Sequence, residues 1–155
     1  MFKDEPTIYQ HLAKIIVKAI PDPLWIKAEL EVMSHNGSKY ITLKSRYYSP
    51  SSTKTNYFNP YITGTENIET ATAELYRARY SESNEKPFNK YKFALNNDGT
   101  FDIEFKYDED FAYMKSLDAD SDEFDELLEL DVTDQIESWE GLPQDHPRPW
   151  LNLNV

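Results

Sequence analysis

Two glycine-containing turns constrain the fold of this 155-residue chain more than any other feature. Asn36–Gly37 and Asn97–Gly99 each separate two runs of alternating apolar and polar residues. Residues in such turns tolerate positive φ, which tight antiparallel hairpins require. The first turn predicts strands over 24–34 and 39–48, and the second predicts two strands within 88–107. Two hairpins of this kind predict an antiparallel sheet.

A two-residue loop in the first hairpin predicts how its strands align. The predicted pairs are Val32 with Ile41, Leu30 with Leu43, Ile26 with Tyr47, Glu29 with Lys44 and Trp25 with Tyr48. Apolar residues then lie opposite apolar ones and an acid lies opposite a base, an arrangement that stabilises antiparallel strands. Trp25 and Tyr48 are expected to form an aromatic pair at the end of the sheet. An exposed pair would suit a homodimer contact, and a tail that covers the sheet would bury the pair instead.

The second hairpin needs a three-residue loop. A two-residue loop would place Leu95 opposite Asp102 and would mix the two faces of the sheet. With Gly99 in the left-handed conformation, a loop over 97–99 pairs residues of like character. The predicted pairs are Leu95 with Phe101, Phe93 with Ile103, Tyr91 with Phe105 and, on the polar face, Lys92 with Glu104.

Two longer segments show the helical spacing of apolar residues. Pro6 suits the first turn of a helix over 6–20. Thr63 and Glu66 have the spacing of a capping box at the start of a helix over 64–83.

The order of these elements predicts the fold class. A short third strand over 56–59 is expected beside the first hairpin. The chain of 155 residues then reads as one α+β domain, 1–155, with an antiparallel sheet of four to five strands and helices packed on one face.

Negative charge is concentrated in one part of this chain. Residues 108–145 hold fifteen acidic residues and one lysine, whereas residues 1–107 hold thirteen acidic and fourteen basic residues. We therefore divide the domain into an α/β body over 1–107, an acidic segment over 108–145 and a proline-rich tail over 146–155. Ser121 is expected to cap a short helix, 122–130, in the acidic segment, and the tail is expected to be extended.

Features of known catalytic sites are sparse. The chain has no cysteine, and its four glycines form no phosphate-binding loop. The three histidines, His11, His35 and His146, have neither a nucleophile nor a metal partner at a suitable spacing. We therefore expect a protein that is not an enzyme and that uses no cofactor and no metal.

The net charge of −12 limits the partners. Nucleic acid and anionic membranes would repel this chain, whereas a basic protein would attract it. Residues 1–6 carry charge where a signal peptide would need apolar residues. No apolar stretch reaches the roughly 20 residues that span a bilayer. We expect a cytoplasmic protein that binds neither nucleic acid nor membrane directly.

The acidic segment also contains apolar side chains. Protein interfaces often place aromatic anchors within a charged rim, so the segment is interpreted as a binding surface in preference to a solvated tail. Some of its apolar side chains are expected to dock the segment on its own sheet. The residues predicted to contact a partner are six acids and two aromatic anchors: Asp118, Asp120, Asp122, Asp125, Glu126, Glu129, Tyr113 and Phe124.

A calcium site is an alternative interpretation of the same acids. Asp118, Asp120, Asp122 and Glu129 match oxygen-ligand positions of an EF-hand loop. Glu123, however, stands where that loop needs a glycine. The alternative function is a calcium-modulated protein-binding module that uses residues 118–129.

A hydrolase is the third interpretation. Glu29 and Glu31 lie two residues apart on a strand, so their carboxylates share a face, and paired carboxylates can serve glycoside hydrolysis. On the polar face of a hairpin, opposite bases such as Lys44, paired acids are also expected without any catalytic role.

A series of motifs runs through residues 6–114. It comprises Ile20-Pro21, Trp25, a strand with Glu29 and Glu31, Leu75-Tyr76, and the hairpin Phe93-x-Leu95-x-x-Asp98-Gly99-x-Phe101-x-x-x-Phe105-x-Tyr107-Asp108. This series resembles the YezG-like immunity protein family. Family chains end soon after the hairpin with a tryptophan-containing segment. Trp139–Glu140 matches that segment here, but a mostly acidic stretch precedes it, so the resemblance covers the body more than the acidic segment.

The resemblance implies a small cytoplasmic protein that binds a bacterial polymorphic toxin tightly and performs no chemistry. The toxins linked to the family are often nucleases, including ribonucleases. The resulting hypothesis is an immunity protein that neutralises the C-terminal domain of a cognate toxin. Its acidic segment would cover the basic cleft of the nuclease or mimic the substrate there.

Overall fold

The computed structural model describes residues 4–38, 40–63, 68–80 and 87–152, and the chain forms two compact units, Met1–Asp108 and Glu109–Val155. The elements of the first unit are α1 (Glu5–Ala19), β1 (Lys27–Ser34), β2 (Ile41–Tyr48), β3 (Asn56–Tyr57), a 3₁₀ helix (Pro60–Thr63), α2 (Ile68–Tyr80), β4 (Lys90–Asn96) and β5 (Phe101–Lys106). The strands form one antiparallel sheet in the order β3-β2-β1-β4-β5. The expected α+β class with an antiparallel sheet is confirmed.

Helix α1, predicted over 6–20, begins and ends within one residue of the predicted bounds. Asp4 caps it, because its Oδ1 accepts hydrogen bonds from Thr7 N at 3.0 Å and from Thr7 Oγ1 at 2.6 Å, and Pro6 lies in the first turn. The chain leaves the helix at Ile20, just before Pro21. The buried side of the helix consists of Ile8, Leu12, Ile15, Ile16 and Ala19.

Both helices of the first unit pack on one face of the sheet. Helix α2 buries Ile68, Ala71, Thr72 and Leu75. Except for Thr72, which bonds Tyr91 in the same interior, these residues join α1 and alternate residues of the strands in one hydrophobic core. The strand residues of this core include Ala28, Leu30, Val32, Tyr91, Phe93 and Leu95. The predicted capping pair of α2, Thr63 with Glu66, lies outside the residues whose side chains are described.

The second hairpin has the predicted loop and register. Leu95 lies opposite Phe101, Phe93 opposite Ile103, Tyr91 opposite Phe105 and Lys92 opposite Glu104. Gly99 has a φ of 93°, and its N–H donates to Asn96 O at 3.0 Å. The three-residue loop is therefore confirmed.

The first hairpin has a different register from the predicted one. Val32 lies opposite Leu43, and Leu30 lies opposite Ser45, so β2 is shifted by two residues. A shift of two residues keeps every side chain on its own face of the sheet. The faces of the strands therefore agree with both alignments. The Asn36–Gly37 turn has the geometry of a two-residue loop, but the register predicted from it was wrong.

The expected exposed pair of Trp25 and Tyr48 is also wrong. Trp25 is only 8% exposed and belongs to the hydrophobic core. Tyr48 lies opposite Lys27 and is 38% exposed. Its hydroxyl donates to Glu29 Oε1 at 3.0 Å. Trp25 is thus buried while Tyr48 is exposed, so the two do not form the expected exposed pair.

Asp108, the last residue of the first unit, is held by three hydrogen bonds from or to Asn89 and Lys90. Asp108 N donates to Asn89 Oδ1, and Asn89 Nδ2 donates to Asp108 O, both at 2.8 Å. The fully buried amine of Lys90 donates to Asp108 Oδ2 at 2.6 Å. This amide clamp and ion pair hold the chain at the end of the sheet.

The second unit is helical. It contains α3 (Glu109–Ser116), α4 (Asp122–Glu129), α5 (Thr133–Ile136) and a 3₁₀ helix (Pro149–Asn152). The predicted helix in the acidic segment is confirmed as α4. The expectation of an entirely extended tail is wrong at Pro149–Asn152, where Trp150 is buried. None of the helices in the described residues has the length and apolarity that crossing a membrane requires.

Candidate functional site

Helix α4 is the centre of the predicted binding surface, and its start is built locally. Ser121 Oγ accepts a hydrogen bond from Phe124 N at 3.2 Å and donates one to Asp118 O at 2.6 Å. Asp118 Oδ1 accepts from Asp120 N at 3.1 Å. A serine cap with acids in the first turn favours helix formation here because the exposed N–H groups attract negative charge. The predicted cap at Ser121 is confirmed.

Four of the predicted contact acids form a stripe on α4. At 100° per residue, Asp122, Asp125, Glu126 and Glu129 fall within one third of the helix circumference, opposite Leu127. Leu127 is buried, and all four acids are exposed. We call these four residues the acidic stripe. Asp118 and Asp120, which are also exposed, lie in the turn that precedes it.

The acidic stripe carries uncompensated charge. Its members form like-charge pairs three and four residues apart, and such pairs destabilise isolated helices by about 0.2–0.5 kcal/mol each. The last turn of α4 has no basic residue, and Glu129 stands at its C-terminal end, where the helix dipole disfavours an acid. In the part of the chain that the structure describes, no stripe residue forms an ion pair.

Few charges of the second unit are neutralised within the unit. Glu109–Val155 contains fourteen acidic and two basic residues, whereas Met1–Asp108 contains fourteen of each. Lys115 pairs with Glu137 at 3.1 Å, and Arg148 binds both carboxylate oxygens of Asp110 at 2.9–3.2 Å. Both bases of the unit are thus already engaged away from α4.

The two predicted anchors differ in their surroundings. The ring of Tyr113, on α3, stacks on Trp150 with centroids 5.7 Å apart and planes 8° apart. Burial, together with the nearby charges of Glu123 and Glu126, raises the pKa of the Tyr113 hydroxyl. Tyr113 therefore packs within its own unit while its hydroxyl lies near the acids of α4.

Phe124 is partly buried and lies on α4 itself. Leu128, four residues later on the same side of the helix, is 50% exposed. Phe124 and Leu128 therefore place apolar surface beside the acidic stripe.

The alternative calcium interpretation finds little support in this geometry. Across the described ranges, no three His, Cys, Asp or Glu side chains come together as a metal-binding group. Asp118 Oδ1 already accepts the amide of Asp120, and Ser121 directs the chain into a helix at the point where an EF-hand loop would turn. The turn preceding α4 is thus organised as a helix cap.

The carboxylates of the hydrolase interpretation lie in a different environment from the expected one. Glu29 and Glu31 are buried, not exposed on a solvated face as expected. Arg46 Nε donates to Glu29, and Arg46 Nη2 donates to Glu31. Burial raises the pKa of Glu29, but hydrogen bonds from Arg46 and Tyr48 outweigh burial and hold that pKa below its ordinary value. A general acid would need the opposite shift.

Helix α3, the Tyr113–Trp150 stack and the burial of Glu29 and Glu31 were not predicted from the sequence. Helix α3 has only Phe111 and Met114 as buried residues, and the spacing of a single pair is too short to show a helical period. The stack of Tyr113 on Trp150 joins residues that are distant in the chain. The burial of Glu29 and Glu31 follows from their position on β1, the central strand of the sheet.

Comparison with models of known protein families finds no match, and a search of curated proteins finds no significant similarity. The functional conclusion therefore depends on the chemistry of the chain itself.

Proposed function

We propose that this chain is an immunity protein that binds and neutralises a cognate bacterial toxin through the acidic stripe and the turn before it. The favoured toxin is a nuclease, and among nucleases a ribonuclease. The observation that carries this proposal is the exposed, uncompensated charge of α4. The helix retains four carboxylates on one side although each repels its neighbours. A basic partner would remove that repulsion on binding.

A nuclease is the partner class that fits this charge. Enzymes that cleave nucleic acid present basic surfaces to phosphates, and such surfaces attract acidic proteins as well. From Asp122 to Glu129 the stripe extends about 10 Å along the helix axis. It is long enough to lie along a substrate cleft, where its carboxylates would take the place of phosphates, or to cover that cleft from nearby.

Speed and tightness would come from different parts of this surface. Complementary charge raises association rates toward about 10⁸–10⁹ M⁻¹s⁻¹ at low salt, which suits a protein that must capture a toxin before it acts. Phe124 and Leu128 supply apolar area beside the charge, and buried apolar contacts mainly slow dissociation. Chemistry by the chain itself is not required for neutralisation.

The proposal is tested by reversing charge on the surface. The partner to examine first is a basic toxin domain encoded beside the gene for this chain, with its nuclease activity and its affinity for the chain as readouts. Reversal of Asp120, Asp122, Asp125 and Glu126 to Lys should abolish neutralisation and remove most of the salt dependence of binding. Circular dichroism verifies that the variant keeps its helices.

A matched control separates the site from net charge. Glu109, Asp134, Glu140 and Asp145 are exposed acids of the same unit that lie outside α4. Their reversal to Lys changes the net charge equally and should leave neutralisation largely intact. If both reversals weaken binding alike, the partner responds to overall charge. If neither does, the acidic stripe is not the interface.

A further inference from the structure

Arg46 joins the two carboxylates on the polar face of the central strand. Its Nε donates to Glu29 Oε1 at 3.0 Å, and its Nη2 donates to Glu31 Oε2 at 2.7 Å. The side chains of Glu29 and Glu31 are only 11% and 4% exposed, and Lys92 Nζ lies 3.8 Å from each. Buried carboxylates need such partners because desolvation penalises an unpaired charge.

The turn of the same hairpin favours another alignment of the strands. Asn36 and Gly37 have φ values of 54° and 73°, and Ser38 N donates to His35 O at 2.9 Å. These are features of a two-residue hairpin loop. A ladder that continued directly from this turn would place Ser34 opposite residue 39. The observed ladder places Ser34 opposite Ile41 instead, so two residues on the β2 side intervene between turn and ladder.

The two alignments differ in their charge pairs and not in their faces. In the alignment that continues from the turn, Glu29 would lie opposite Lys44, but Lys27 would lie opposite Arg46, and Glu31 would have no base opposite it on β2. In the observed alignment, Glu29 lies opposite Arg46 and Glu31 lies opposite Lys44. Opposite charges across a strand pair stabilise it, whereas like charges directly opposite destabilise it.

We propose that Arg46 selects the register of the first hairpin against the preference of its own turn. The assignment of apolar residues to one face does not distinguish the alignments because a two-residue shift exchanges no faces. Apolar cross-strand pairs favour the alignment that continues from the turn, where Leu30 would lie opposite Leu43 and not Ser45. The guanidinium distinguishes the two alignments because its planar fork can reach Glu29 and Glu31 together only in the observed register. Buried ionic groups often contribute little net stability, and a role in fixing register is among their best-attested uses.

Engineered cysteine pairs can report the register, because the chain has no cysteine of its own. Met33 lies opposite Thr42 in the observed ladder and would lie opposite Tyr40 after a slip of two residues. During oxidative refolding of the otherwise unchanged chain, we expect M33C/T42C to form its disulfide and M33C/Y40C to form little. In an Arg46→Met background, the yield of the first pair should fall severalfold and that of the second should rise severalfold.

Two further variants make the result decisive. Arg77→Met removes an exposed arginine on α2 that pairs with Glu74 and should leave both disulfide yields unchanged. Lys27→Glu keeps Arg46 but offers it an acid in the slipped alignment, so it should also raise the yield of M33C/Y40C. If Arg46→Met does not fold, Lys27→Glu alone decides. The proposal is overturned if the folded variants form only the M33C/T42C disulfide.

Discussion

Carboxylates are placed in opposite ways in the two units. On the sheet of the first unit, Glu29 and Glu31 are buried and bound by Arg46. On α4 of the second unit, carboxylates such as Asp122 and Glu126 are exposed, and among the described residues no base pairs with them. A charge that is satisfied inside its own unit can hold strands together, but it is not available to a partner.

This difference separates structure from function within one acidic chain. Removing a neutralised, buried charge should damage the fold because its partners remain buried. Removing an exposed charge that repels its neighbours should leave the fold intact or improve it. Function should respond in the reverse order. Measurements of stability therefore test the comparison without knowledge of the partner.

The largest effect is expected from Glu31→Ala. It removes the carboxylate that accepts Arg46 Nη2 at 2.7 Å and lies 3.8 Å from Lys92 Nζ, and breaking a buried ion pair typically costs about 3–5 kcal/mol. Chemical denaturation measures the free energy of unfolding. Glu104→Ala, at an exposed polar position on β5, is the matched control and should change it by no more than about 0.5 kcal/mol. Equal losses of unfolding free energy in Glu31→Ala and Glu104→Ala would mean that the buried, paired acid stabilises the fold no more than the exposed one.

A smaller effect is expected from the pH dependence of Glu29. Its pKa in the folded state lies below the ordinary value because bonds from Arg46 and Tyr48 outweigh burial. Because this pKa is lower in the folded state, the ionised carboxylate stabilises the fold. The stabilisation is fully present above the pKa of Glu in the unfolded chain, about 4.3, and is lost as pH falls through the pKa of Glu29 in the folded chain. Glu29→Gln should therefore be less stable than the parent chain at pH 6, and the difference should narrow toward pH 2.

The difference between parent and variant isolates this one group. Asp22 and Asp98 also have lowered pKa values, through hydrogen bonds from Ser49 and Thr100 respectively, but they are present in both proteins and their contributions cancel. A difference in unfolding free energy that stays constant from pH 6 to pH 2 would mean that the charge of Glu29 does not stabilise the sheet.

The two hairpins show how far the fold could be predicted from sequence. In the second hairpin, changing the loop by one residue exchanges the faces of a strand, so the position of Asp102 opposite Leu95 was enough to reject the shorter loop. In the first hairpin, the competing alignments keep all faces and differ in which residues lie opposite one another, so the rule that rejected the shorter loop in the second hairpin cannot choose between them. The reach of Arg46 to both Glu29 and Glu31 is a three-dimensional property that no linear pattern displays.

In the candidate site, too, local features could be predicted from the sequence and contacts between distant residues could not. Ser121 predicted the start of α4, because a helix cap depends on residues a few positions apart. The acids of the stripe were predicted as partner contacts, and the structure places four of them on one side of this helix. The stack of Tyr113 on Trp150 and the capture of Asp110 by Arg148 join distant parts of the chain. These contacts have no local signal in the sequence. The first of them packs Tyr113, a predicted partner anchor, within its own unit.

The smallest effect is expected from neutralising one acid of the acidic stripe. The sign of the change in unfolding free energy distinguishes an exposed, repelling acid from a buried, paired one. Glu126→Gln removes like-charge pairs with Asp122 and Glu129, each worth about 0.2–0.5 kcal/mol in a helix, so the free energy of unfolding should rise by about 0.5 kcal/mol. The gain should shrink in 1 M salt, where screening acts within about 3 Å. Asp145→Asn, outside α4, should show no such gain. A clear loss of stability in Glu126→Gln would mean that this carboxylate stabilises the fold, as Glu31 is expected to do. A gain in stability together with weaker toxin binding would mean that the repulsion within α4 is retained because the carboxylates bind a partner.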